Sequence, residues 1–267
     1  MTILDGSALG VAAKSPIDTG AMSSSAGVME QITLTIRAAD QGLRSQEILS
    51  PTEHERLANM HEGARPAFVT ARTMLRKALG DYMGLTPSAV PLQQEGAGRV
   101  FIEGFRDDEP PFYSVSHTGG AEDGIAAVAV AESCPIGIDI QQVDPAVDWR
   151  RVAERRFPAE EWMILSAMPE EEGRMLFFTI WAIKESFVKM EDGTLMPYLR
   201  EVELDFTDGV PRLKIPTPGG CDNPTIFFHF VPEYSLAVAM VTAKKSHIQL
   251  DCKIEMSERR PDPLSNL

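Results

Sequence analysis

Apolar and polar positions alternate at residues 32–36, where Ile32, Leu34 and Ile36 are separated by Thr33 and Thr35. Period two predicts a half-buried strand there. Ser50-Pro51-Thr52-Glu53 then reads as a helix start, with Ser50 as cap, Pro51 in the first turn and Glu53 completing a capping box. That helix runs to about Met60. A second helix covers 66–80, with Phe68, Ala71, Leu75 and Leu79 as its core stripe and Arg65, Arg72 and Arg76 on another. After Pro87 the pattern becomes β-rich. Gly96-Ala97-Gly98-Arg99 marks a turn before Val100, Phe101 and Ile102. Strands are predicted at 112–118, at 125–131 and at 136–141, the last two as a hairpin. A long helix begins near Arg174 and ends near Met190, with Gly193 beyond it. Four more strands follow, at 201–206, 212–215, 225–231 and 236–241.

Helix-then-strands thus occurs twice, over about 50–131 and about 150–241. This predicts an α+β fold of two similar halves with a ligand at the seam between them. The chain divides into a flexible tail rich in Ala, Gly and Ser at 1–30, a first lobe at 31–135, a second at 136–245 and a loose polar tail at 246–267. With 267 residues and 43% hydrophobic content there is enough apolar surface for one large or two small cores. Net charge is −14 and the sequence pI is near 4.8, which argues against nucleic acid and anionic membrane as partners. No apolar run is long enough to cross a bilayer, and Met1-Thr-Ile-Leu-Asp lacks the basic start of a secretory signal. Cys134, Cys221 and Cys252 form no zinc or disulfide pattern and suit a reducing, cytoplasmic location.

Charge inside the long helix points to chemistry. In Trp181-Ala-Ile-Lys184-Glu185-Ser-Phe-Val-Lys189 the spacing stacks Trp181, Glu185 and Lys189 on one stripe. Phe177, Ile180, Lys184 and Phe187 form the neighbouring stripe. A buried charge must be paired or neutralised. The strand Ile136-Gly-Ile-Asp139-Ile-Gln141 turns its isoleucines to one face and Gly137, Asp139 and Gln141 to the other. A carboxylate facing a Lys-Glu helix makes either a metal or phosphate site or an ion pair at a helix–sheet contact. Arg65, Arg72 and Arg76 would grip a phosphate ester or form a solvated face. Ser116 and His117 end a strand before Gly119-Gly120, a layout that lets an anion approach the backbone. Arg150, Arg151, Arg155 and Arg156 cluster among apolar residues as a local exception to the acidic average.

In this order Gly98-Arg99, Phe112-Tyr-Ser-Val-Ser116-His117-Thr, Ile136-Gly-Ile-Asp139-Ile and Phe177-Phe-Thr-Ile-Trp181-Ala-Ile-Lys184-Glu185-Ser-Phe-Val-Lys189 resemble the motifs of the 4′-phosphopantetheinyl transferases, in their larger surfactin-synthetase-activating form. The similarity covers about residues 30–242. It implies two α+β lobes related by a pseudo-twofold, with the active site in the cleft between them. The implied reaction moves the phosphopantetheine arm of coenzyme A to a serine of an apo acyl or peptidyl carrier protein. Adenosine 3′,5′-bisphosphate leaves, Mg2+ is required, and the enzyme works as a monomer.

The resemblance also implies residue roles. Asp139, Gln141 and Glu185 hold the metal; Glu185, Lys184 and His117 are catalytic. Arg65, Arg72, Arg76, Gly98, Arg99, Ser116, His117, Lys184 and Lys189 bind coenzyme A. The serine proton goes to Glu185 or to a metal-bound water. Gln141 departs from the glutamate that many relatives carry, so a catalytically impaired coenzyme A-binding scaffold is the alternative.

Overall fold

A computed structural model describes residues 30–39, 46–94, 100–106, 109–120, 124–206, 210–243 and 248–255. In chain order, β1 (Glu30–Ala38) is followed by α1 (Pro51–Asn59), α2 (Arg65–Met83) and the short pair β2 (Leu92–Gln94) and β3 (Val100–Ile102). Next come β4 (Phe112–Thr118), β5 (Ile125–Ala131) and β6 (Ile136–Gln142). Helices α3 (Trp149–Arg156), α4 (Ala159–Ser166), α5 (Glu170–Glu191) and α6 (Leu195–Glu201) precede β7 (Leu204–Asp205) and β8 (Arg212–Leu213). The last strands are β9 (Thr225–Val231), β10 (Leu236–Thr242) and β11 (Ile248–Glu255).

Two larger sheets have the orders β11-β1-β5-β4 and β6-β10-β9, and β2-β3 and β7-β8 form two small ones. Their alternating side chains sort the molecule into layers. On β5, Ala126, Val128 and Val130 pack with Leu75 and Leu79 of α2, while Ala127, Ala129 and Ala131 face a core shared with Ile136, Ile138 and Ile140 of β6. On β10, Val238 and Met240 enter that shared core, and Ala237, Ala239 and Val241 pack beneath α5. The sequence of layers is therefore α2, first sheet, second sheet, α5. Ile32, Ile138 and Leu236 are 0% exposed at the centre, each contributing roughly 1.5–3 kcal/mol of burial. The α+β class expected from the patterning is what forms.

Ser50 caps α1 as its spacing predicts: the Glu53 amide donates to Ser50 Oγ at 3.2 Å, and the Ser50 amide donates to Glu53 Oε2 at 2.8 Å. Three expectations need correction. The hairpin between β5 and β6 does not form. Both edges of β5 are taken, by β1 and β4, and β6 crosses to the other sheet to pair with β10. The expected C-terminal tail is in part a strand, because residues 248–255 pair in parallel with β1. The region expected as a strand from 201 instead begins with the end of α6, and only Leu204–Asp205 pairs, with Arg212–Leu213. The tail at 1–29 and the turn at 95–99 lie outside the described residues. Among the described residues no helix is long and apolar enough to cross a membrane.

Candidate active site

Gly137 brings the two key elements together. A Cβ on this residue would lie 1.9 Å from the Ser186 carbonyl oxygen, so α5 rests directly on the β6 backbone. Ser186 secures the contact by donating to the Ala239 carbonyl of β10 at 3.0 Å and to Ala182 of its own helix at 2.8 Å. Two residues along β6, Asp139 projects from the same face as Gly137. One residue before Ser186, Glu185 projects beside it.

Asp139 is 1% exposed and fully engaged. Its Oδ1 accepts from Ser116 Oγ at 2.8 Å and from Lys189 Nζ at 2.7 Å, and its Oδ2 accepts from Gln141 Nε2 at 2.7 Å. Ser116 does double duty, since its Oγ also accepts from the Ile140 amide at 3.3 Å. Ser114 does the same for Ile138 at 3.0 Å, so two serines of β4 join the two sheets beside the site. Glu185 Oε1 accepts from the Trp181 indole at 2.8 Å. Burial first, and then the charge of Asp139, raise the Glu185 carboxyl above the ordinary glutamate range.

These groups open on a cavity of about 520 Å3 that is lined by Arg72, Gln94, His117, Asp139, Glu185 and Lys189, with further residues from both halves of the chain. A side chamber of about 350 Å3 shares Arg56, Arg72 and Gln94 with it. Arg72 donates through Nη2 to Gln94 Oε1, lies 5.2 Å from the Phe68 ring centroid, and stands 3.8 Å from Glu53. Its burial lowers its pKa to about 10. Arg72 Nη1 and Thr73 Oγ1 are buried and have no hydrogen-bond partner; Arg72 lines both chambers, whereas Thr73 lines neither. His117 stands at the rim; loss of surrounding water, then Lys189, Arg72 and Arg56, lower its pKa and favour the neutral ring.

Other residues expected at the site lie elsewhere. Lys184 is 0% exposed and turned away from the cavity. Its Nζ donates to Glu161 Oε2 at 2.6 Å and to the Leu199 carbonyl at 3.1 Å, and it lies 4.5 Å from the Phe157 ring centroid. Burial lowers the Lys184 pKa and raises that of Glu161, and their attraction opposes both shifts. The cause of the misplacement is helical phase: adjacent residues point ~100° apart. Arg76 is likewise buried, donating to Glu53 at 2.8 Å and to the Val90 carbonyl at 2.8 Å. Arg65 closes the end of α1 through the Met60 and Ala58 carbonyls, at 3.1 and 3.3 Å. Gly98 and Arg99 lie outside the described residues. The sequence reading missed Arg56 and Gln94, and only the cavity shape reveals them.

Among the described residues no group of three or more His, Cys, Asp or Glu is arranged around a metal position. The donors present are two carboxylates, Asp139 and Glu185, and the Gln141 amide, whose Nε2 is engaged and whose Oε1 remains an acceptor. An all-oxygen set with one carboxylate raised by the other fits a hard dication.

Residues 135–239 match the family model described as the 4′-phosphopantetheinyl transferase superfamily. The 4′-phosphopantetheinyl transferase psf-1 of Bacillus pumilus is 32% identical over 188 residues, which is 67% of this chain and 75% of that protein. The transferase HetI of Nostoc sp. is 29% identical over 55% of this chain and 60% of its own length. An L-aminoadipate-semialdehyde dehydrogenase-phosphopantetheinyl transferase of Xenopus laevis is 27% identical over 59% of this chain and 54% of its own. The chain thus spans little more than half the length of these last two relatives. The matched segment holds β6, α5 and the Asp139–Glu185 contact between them, and the chain belongs to the 4′-phosphopantetheinyl transferase superfamily.

Proposed function

We propose that this protein transfers the 4′-phosphopantetheine arm of coenzyme A to a serine of an apo acyl or peptidyl carrier protein, in the manner of the larger surfactin-synthetase-activating enzymes. The observation that carries the reading is a single cavity holding the buried Asp139, the half-buried Glu185, Lys189 and an Arg72 guanidinium with an unpartnered Nη1. A polyphosphate ester with a nucleotide end meets each of these groups. Arg72 receives a phosphate of the nucleotide, and Arg56 and Phe68 wall its side of the cavity. His117 and Lys189 receive the bridging phosphates, where fixed positive charge stabilises developing negative charge.

The carrier serine Oγ attacks the phosphorus nearest the pantetheine arm. Its bond to the leaving phosphate oxygen breaks, and adenosine 3′,5′-bisphosphate departs. Glu185 takes the serine proton; its raised pKa suits a base. The Trp181 indole keeps the Glu185 carboxylate aimed. A magnesium ion held by Asp139, Glu185 and the Gln141 amide oxygen would supply charge neutralisation at the leaving phosphate.

One helix lies on each sheet, α2 on the first and α5 on the second, and the cavity takes residues from both. This supports two similar lobes related by a pseudo-twofold, meeting near residue 135; the enzyme is proposed to work as a monomer in the cytoplasm. Exposed Arg151 and Arg155 of α3 support carrier docking on that face, since carrier proteins are generally acidic.

Incubation with coenzyme A, Mg2+ and a panel of apo carrier proteins, read by intact mass, tests the proposal. The expected result is a gain of one phosphopantetheine group, lost in Asp139→Ala and Glu185→Ala. Coenzyme A binding without any transfer would instead identify the impaired scaffold.

A further inference from the structure

Glu185 sits between two neighbours that are each 0% exposed and each anchored to a different part of the fold. Ser186 fixes one flank of α5 through the Ala239 carbonyl of β10. Lys184 fixes the other, and it reaches further. Its ammonium joins Glu161 of α4 and the Leu199 carbonyl of α6. Glu161 passes the connection on, because its Oε1 accepts from the Leu204 amide of β7 at 3.0 Å. Phe157, at the end of α3, covers the ammonium and also stands 6.4 Å from the Trp181 ring.

The charge pair itself returns little net stability, because the cost of desolvating two charges offsets their attraction. What the ion pair adds is direction. Its hydrogen bonds define one angle of α5 about its own axis. A rotation of ~10° would move an atom ~5 Å from that axis by ~0.9 Å. A misplacement of about 1 Å at a reacting centre lowers rates on the order of 10²-fold.

We propose that the Lys184–Glu161 ion pair is a positioning device that sets the rotation of α5, and through it the placement of Glu185 in the cavity and of the Trp181 indole that holds it. This rests on Glu185 serving the transfer described above. Neither residue touches substrate, so both act through their neighbours.

The test compares the wild type with Lys184→Met, Glu161→Gln and the double variant Lys184→Met/Glu161→Leu. The double variant removes both charges and restores apolar packing. It leaves the Leu204 amide and the Leu199 carbonyl without their side-chain partners, so its urea midpoint is expected to fall while the protein stays folded. It is expected to lose kcat by about tenfold to a hundredfold and to keep KM for coenzyme A within twofold. In 15N-indole spectra the Trp181 N–H resonance should move upfield as its bond to Glu185 lengthens. Glu161→Gln keeps the shape and an acceptor for the Leu204 amide, so its kcat should fall less. A folded double variant with wild-type kcat and an unmoved Trp181 resonance overturns the proposal. Should the double variant fail to fold, the same two readouts on Glu161→Gln decide: both at wild-type values overturn it. If the wild type itself transfers no arm, the transfer reading fails, while the indole resonance still tests the positioning.

Discussion

Lys189 Nζ lies 2.7 Å from Asp139 Oδ1, so a side-chain cation already occupies an oxygen that a metal would need. Drawing Lys189 onto a substrate phosphate would free that oxygen. Lys189→Met should therefore bind Mn2+ more tightly in the absence of coenzyme A, by about tenfold or ~1.4 kcal/mol. That is what remains of a Coulomb attraction of ~4 kcal/mol after solvent and desolvation take their share. Coenzyme A affinity should fall in the same variant. Mn2+ electron paramagnetic resonance measures the first effect directly; equal Mn2+ affinity in both proteins would remove Lys189 as a competitor.

Gly137→Ala tests the helix–strand contact. The new methyl group would sit 1.9 Å from the Ser186 carbonyl oxygen, a backbone atom that cannot swing aside. Helix α5 must then lift from β6 and carry Glu185 away from Asp139. Overpacking of this kind costs about 1–3 kcal/mol. Urea unfolding should show that loss, and transfer activity in the remaining folded protein should drop by more than tenfold. A variant with wild-type activity would mean that the carboxylate pair tolerates displacement.

Acid–base behaviour gives a third expectation. The Glu185 carboxyl is raised in the folded protein by burial and by Asp139. Between its ordinary value and that raised value, the folded state binds more protons than the unfolded chain, so stability contributed by this group falls as pH rises through the window. Below the ordinary carboxylate value its contribution is fully present. Glu185→Gln removes the effect. In metal-free buffer the stability gap between variant and wild type should widen in the variant's favour as pH increases from acid to neutral. Urea midpoints across pH in the presence of a chelator check this, and a pH-independent gap would show that folding does not raise the Glu185 carboxyl.

Much of the site was legible in sequence because periodicity carries it. The strand period put Gly137, Asp139 and Gln141 on one face, and the helix period put Trp181, Glu185 and Lys189 on one stripe; all but Trp181 border or line the cavity or pack at its floor. Lys184 belonged to the buried stripe by the same periodicity, beside Ile180 and Phe187. Its role was read from charge and motif position, and no local signal announces Glu161 twenty-three residues away. Arg76 has the same history, since its partner Glu53 lies on another helix. The pairing of β11 with β1 joins residues 218 positions apart, and β11 does carry a strand pattern, Ile248, Leu250, Cys252 and Ile254 alternating with Gln249, Asp251, Lys253 and Glu255. Reading 246–267 as a tail from its polar composition passes over that pattern. Strands β5 and β6 looked like a hairpin because four residues separate them; only the occupied edges of β5 exclude it.

Gln141 donates to Asp139 Oδ2 at 2.7 Å, which makes it a support for the metal carboxylate as well as a candidate ligand. Gln141→Glu would replace a donor by a second anion. Without metal, the two carboxylates then repel and the variant should be less stable than the wild type. With Mg2+, the added charge should lower the half-saturating concentration by about tenfold, or ~1.4 kcal/mol. A magnesium titration of initial rate, paired with melting in chelator, reads both signs. An unmoved magnesium requirement would show that Gln141 faces only Asp139. Turnover in the glutamate variant alone would identify the natural protein as the scaffold.

The proposed carrier-docking face is that of α3. Arg150 is engaged by Glu170 at 3.0 Å and by the Met168 carbonyl at 3.0 Å, whereas Arg151 and Arg155 are exposed. Beside them on α4, Met163 is 65% exposed. The helix leads to Phe157, whose ring lies 6.4 Å from Trp181, and Trp181 bonds Glu185. A carrier helix resting on this face would thus lie near the residue that receives its serine proton. The chain as a whole carries a charge of −14, so an acidic carrier is repelled at long range and needs a local basic patch to approach. Rim charges of this sort govern the encounter rate and its salt dependence more than the stability of the final complex. Arg151→Glu combined with Arg155→Glu should raise KM for the carrier by about tenfold, leave KM for coenzyme A unchanged, and flatten the decline of kcat/KM with added salt. Steady-state kinetics with each substrate varied at two ionic strengths separates these effects. A carrier KM that stays at the wild-type value would move the docking face elsewhere on the molecule.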